Sequence, residues 1–102
     1  MNRTSRCPGA GNPETAREFA LRMRQLKAWS GLTLRQLERR ARSIGEHLPR
    51  STLAATLTHL RLPREPLLVA FVKACDCSSA DIENWVDARR RVAMKISTIT
   101  DR

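Results

Sequence analysis

The sequence predicts an all-α protein, a compact five-helix bundle. Three observations carry that expectation. Apolar residues recur every three or four positions in five successive segments, the spacing of one buried helical face. No segment alternates apolar and polar residues as a half-buried strand does, and no internal repeat is visible. Start and stop signals separate the segments: Gly31, Pro49, Pro63 and Pro66, and the pairs Thr33/Gln36 and Ser78/Asp81, each three residues apart.

With 102 residues, the chain has the length of one domain. Its hydrophobic share of 41% suffices for a small core to which every helix must contribute. No apolar run approaches the roughly 18 residues that a membrane span needs. Arg3 and Arg6 are not followed by an apolar segment, so no secretory signal is expected and the cytoplasm is the default location. Three cysteines, Cys7, Cys75 and Cys77, show no C-x-x-C spacing and lie far from His47 and His59. They are expected to be core or loop thiols in a reducing compartment, with no metal site and no cofactor.

The net charge is +9, and its distribution is uneven. Residues 1–61 hold twelve basic and four acidic side chains, whereas residues 62–102 hold seven and six. The excess sits in the first three helical segments, as a polyanion-binding face requires.

The segments follow in order. Residues 1–13, with Pro8, Gly9, Gly11 and Pro13, read as a disordered tail, residues 14–96 as the folded domain, and 97–102 as a frayed end. The first helix is expected from Pro13 to Ser30, with Ala16, Phe19, Met23 and Leu26 as its buried stripe and Gly31 as its C-terminal cap. Thr33 and Gln36 form a capping box that opens the second helix, whose apolar face is Leu34, Leu37 and Ala41. Arg35, Arg39, Arg40 and Arg42 crowd the same helix, a repulsion that Glu38 or an anionic partner must offset. Ser43–Leu48 is a connection containing Gly45, in which Ile44 is expected to tuck under the core.

The third helix, about residues 49–59, turns Leu53 and Leu57 inward, with Leu60 near its end. Its outer face is left with Arg50, Ser51, Ala54, Ala55, Thr58 and His59. Small and polar groups with one long cation let a helix lie close to a groove floor; an ordinary solvated helix prefers Glu and Lys. A fourth helix, about Glu65 to Cys75, carries Leu68, Phe71, Val72 and Cys75 as its stripe. The fifth opens at Ser78 with Asp81 as its capping partner, and its Arg89, Arg90, Arg91 and Lys95 follow the helix dipole.

From about Phe19 to Leu60 the chain resembles the XRE or Cro/lambda-repressor type of helix-turn-helix domain. The matching residues are Met23 and Leu26, then Gly31-Leu32-Thr33, then Leu37, and then Arg50-Ser51-Thr52-Leu53. The span 14–96 is similar to short regulators of GC-rich Gram-positive bacteria. That resemblance implies a lambda-repressor-like bundle that binds DNA and regulates transcription, with the third helix as the reader. It implies that Arg50 and Ser51 meet base edges, that Ala54, Ala55 and Thr58 face the groove, and that Arg61 touches the backbone. Three departures stand out. Leu34 occupies the place where the family often has a phosphate-clamping Gln, which passes the backbone contact to Arg35. Glu38 replaces a small residue. The turn at Ser43–His47 is longer.

Arg39 and Arg40 are expected to add phosphate contacts. An alternative reading has Arg39, Arg40 and Arg42 meet an acidic partner protein, making the chain an interaction adaptor on the same fold. The chain shows no G-x-S-x-G, H-E-x-x-H or phosphate-loop motif, so no enzyme is expected. With Phe19, Phe71, Trp29 and Trp85 as its only aromatics, it offers little stacking platform for single strands. No second domain for a small-molecule effector is expected. Ile82, Trp85, Val86, Val92 and Ile96 exceed what covering two helices should need and are expected to offer a homodimer face.

Overall fold

A computed structural model describes residues 7–100, with side chains as far as residue 97. It contains five helices: α1 (Ala16–Ser30), α2 (Leu34–Ser43), α3 (Arg50–His59), α4 (Glu65–Ala74) and α5 (Ser79–Thr100). No strand occurs among the described residues, so the all-α expectation holds. None of these helices is long and apolar enough to cross a membrane.

Local chemistry sets most boundaries. Thr15 caps α1, its hydroxyl accepting the Glu18 N–H at 3.1 Å, while Glu18 Oε1 accepts the Glu14 N–H at 2.7 Å. The helix therefore begins after Thr15, and Pro13 lies buried ahead of it instead of in its first turn. Gly31, at φ 71°, ends α1 in the left-handed conformation that glycine adopts without steric cost. The expected Thr33/Gln36 box is complete: Gln36 N–H donates to Thr33 Oγ1 at 3.1 Å, and Thr33 N–H to Gln36 Oε1 at 2.9 Å. Ser78 and Asp81 reciprocate in the same way at the start of α5, at 3.0 and 3.1 Å.

The stripes converge on one core. Phe19, Met23 and Leu26 of α1 meet Leu37 and Ala41 of α2, Leu53 of α3, Leu68 and Phe71 of α4, and Trp85 and Val92 of α5. Phe19 and Trp85 pack edge to face, with centroids 5.5 Å apart. Helix α3 rests on α1 and α2, whereas α5 rests on α1 and α4. Two arginines fasten α5 to the start of α4. Arg89 Nε donates to the Pro63 carbonyl at 2.6 Å, and Arg90 makes a paired contact with Glu65 at 3.1 Å. The hydrogen bond from Arg90 holds the Glu65 carboxyl below its ordinary value.

Several further expectations differ from the arrangement of the described residues. Ile44 does not tuck inward; it is 53% exposed, and Leu48 is the core residue of the connection. The Gly45 turn at φ 80° and the Glu46 N–H bond to the Ala41 carbonyl swing the chain so that Leu48 points in. Trp85 and Val92 are wholly buried, and Ile82 and Val86 pack against the core, so only Ile96 of the expected dimer strip is exposed. Residues 7–13 have no regular structure but are not a loose tail: Cys7, Ala10 and Pro13 are buried. Residues 1–6 lie outside the described residues. Helix α5 runs through Thr100, into the stretch expected to fray. Finally, Cys7 and Cys77 form a disulfide with Cα atoms 5.8 Å apart, and only Cys75 is a core thiol.

Candidate nucleic-acid interface

The candidate reading unit is built from α2, the connection and α3. Pro49 starts α3 but brings no side-chain cap. Glu38, from the middle of α2, fills that role from outside: its Oε2 accepts the Arg50 N–H at 3.3 Å. Its other oxygen lies 3.8 Å from Arg50 Nε, a half-exposed ion pair. Glu38 thus ties the two helices together where α3 begins. Further along, Leu53 and Leu57 anchor α3 to the core, joined by the buried Thr56. Leu60 closes the helix at φ 51°, and the Arg61 N–H turns back to the Thr56 carbonyl at 3.1 Å.

What α3 leaves outside matches the sequence reading. Arg50, Ser51, Ala55 and Thr58 are exposed, as is Arg61 just past the helix, and Ala54 is half-buried. Arg35 and Arg39 are exposed on α2. Arg40 is exposed too, but its Nε donates to the Ala74 carbonyl at 2.9 Å, which ties it to the end of α4. It lines a cavity of about 420 Å³ there, with Ser43, Ile44 and Lys73.

Sequence reasoning missed Arg24 and Lys27. With Ala28 of α1 and Leu57 and Thr58 of α3 they line a cleft of about 280 Å³. Two cations therefore border the far end of the outer face of α3. Their i, i+3 spacing on one side of α1 was the available signal.

The cysteines offer little to a metal. Ligand atoms of Cys7, Cys77 and Asp81 lie within 4.8 Å of one another. Two of the three are bonded to each other, and the Asp81 carboxylate already accepts from the Ser78 N–H and hydroxyl. A closed structural zinc site takes four ligands.

No curated protein and no solved structure matches the chain. A family model described as a helix-turn-helix domain matches residues 18–85, from the first turn of α1 into α5. That span holds α2, the connection, α3 and the core beneath them, and it exceeds half of the sequence. The chain belongs to the helix-turn-helix domain family.

Proposed function

We propose that the protein is a sequence-specific, double-stranded DNA-binding transcriptional regulator of the XRE type, acting in a bacterial cytoplasm, with α3 in the major groove. One observation carries this reading. The exposed face of α3 is small and polar, and long cations stand at its ends: Arg50 at the start, Arg61 past the finish, and Arg24 and Lys27 across the cleft at Thr58. A helix with such a face approaches base edges closely while its flanking cations reach phosphates. Arg50 has the reach and planarity for a paired contact with guanine, and Ser51 is next to it. Ala54 and Ala55 leave room or meet a thymine methyl. Arg35 and Arg39 are the backbone contacts of α2. Arg40 is left out of that set because its guanidinium is engaged at α4.

One reading unit covers only a few base pairs, and helix-turn-helix proteins commonly pair on half-sites about one DNA turn apart. We infer that this chain does so on DNA and is a monomer when free, since four of the five side chains of the expected dimer strip serve the core. The adaptor reading, with an acidic partner at Arg39, Arg40 and Arg42, is disfavoured by the hold of Ala74 on Arg40.

Selection of bound sequences from a random duplex pool tests the proposal. An enriched motif, symmetric if two copies bind, is the expected result. Binding without any enriched motif would overturn sequence-specific regulation.

A further inference from the structure

Residues 7–13 are held against the bundle by the buried side chains of Cys7, Ala10 and Pro13 and by few hydrogen bonds. The Ala10 N–H donates to Asn84 Oδ1 at 3.1 Å, and Arg91 Nη2 donates to the Gly11 carbonyl at 3.4 Å. The covalent tie is the disulfide from Cys7 to Cys77, across a separation of 70 residues. Cys77 sits in the turn between α4 and α5 and is half-buried, not sealed. It forms part of the wall of the cavity of about 420 Å³ that Arg40, Lys73 and Asp76 also line, and Lys73 is paired with Glu46 at 2.8 Å, so acids and bases balance around the opening. Cys75 lies two residues away, but burial pushes its thiol up to about 12, so it offers no thiolate to compete for the bond.

We propose that Cys7 and Cys77 form a reversible thiol–disulfide latch, opened at Cys77 by a small thiol that enters the Arg40–Lys73 cavity, and that opening releases residues 7–13 from α5. The proposal goes beyond the DNA-binding reading and does not rest on it. Attack by the thiolate on the Cys77 sulfur forms a mixed disulfide there and breaks the Cys7–Cys77 bond; Cys7 leaves as a thiolate and takes a proton from water. A second thiolate attacks the small-molecule sulfur of the mixed disulfide, which frees Cys77 as a thiolate that is protonated in turn. Two thiols are oxidised to one small disulfide, and the protein disulfide gains two electrons and two protons. Excess small disulfide runs the sequence backwards. Once the covalent tie is cut, the few remaining bonds are those of a segment that opens locally, not with the whole fold.

The test uses the full chain and glutathione as the small thiol. The protein is equilibrated in buffers of varied reduced-to-oxidised ratio, its thiols are trapped by alkylation and counted by mass, and amide exchange is followed in parallel. The bond is expected to open in about 5 mM reduced glutathione and to re-form when the oxidised form is in excess. On opening, exchange at Ala10 is expected to rise about tenfold or more while the core of α4 stays protected. Cys75→Ser is expected to leave the latch intact. A bond that resists reduced glutathione in the native protein would overturn the proposal. So would unchanged exchange at Ala10 on opening.

Discussion

Arg50 enters α3 already held by Glu38, and this pair sets what a substitution at either position does. Contact with a guanine requires the half-exposed Arg50 side chain to exchange a carboxylate 3.8 Å away for a base edge. Such a surface pair contributes at most about 1 kcal/mol, less than the ~1–3 kcal/mol of a good base contact, so the exchange is favourable. Arg50→Ala is expected to cost about 1–3 kcal/mol on the preferred site and to relax the choice at one base pair. Arg39→Ala should weaken all duplexes alike. Equal losses for Arg50→Ala on preferred and random DNA, measured by titration, would remove α3 as the reader. Glu38→Gln has two opposed consequences. It weakens the cap on the Arg50 N–H, costing about 0.5–1 kcal/mol of stability. It also removes a negative charge next to the DNA, so affinity for every duplex should rise about 2- to 5-fold at low salt. Trp85 belongs to the core and not to a dimer face. Trp85→Ala should lower stability by about 3–5 kcal/mol in a denaturant melt.

At the level of the element, caps decide where helices begin. Thr33→Ala deletes the acceptor of the Gln36 N–H and is expected to cost about 1 kcal/mol, a fall in melting temperature of roughly 4–8 °C for a domain of this size. A melt unchanged within a degree would contradict the role given to the box. Caps of this kind span three residues, which is why Thr33/Gln36 and Ser78/Asp81 were legible in the sequence. Thr15 and Glu18 have the same spacing, although the Glu18 carboxylate accepts from the Glu14 N–H instead of closing the box on Thr15, and Pro13 drew the expected start of α1 too early. The outer face of α3 was legible as well, because it is what remains once Leu53 and Leu57 turn inward. Connections have no period to read. Ile44 and Leu48 exchanged places because a backbone turn at Gly45, not hydrophobicity, decides which of them meets the core. Periodicity showed that α5 has a broad apolar face but not what covers it; α1 and α4 cover Trp85 and Val92. The Cys7–Cys77 pair escaped every spacing rule, since its members lie 70 residues apart and meet only in the fold.

At the scale of the whole molecule, the Cys7–Cys77 bond links the segment before α1 to the turn before α5. Closing a loop of that length removes chain entropy from the unfolded state, worth about 4 kcal/mol in the simple loop-closure account. Charge is divided just as unevenly as the covalent structure: the acids of α4 and α5 nearly balance their bases, while α1 to α3 carry the excess. The free protein is expected to sediment as a monomer at tens of micromolar and to form a two-copy complex on a symmetric site. A free dimer that Ile96→Glu dissociates would instead place a constitutive interface at the far end of α5. The central claim, that the basic α1–α3 unit grips duplex DNA through its phosphates, is tested most directly by the salt dependence of duplex affinity. If about 4–6 phosphates are neutralised per protomer, log K should fall against log salt with a slope near −4 to −5. A flat response would contradict the account.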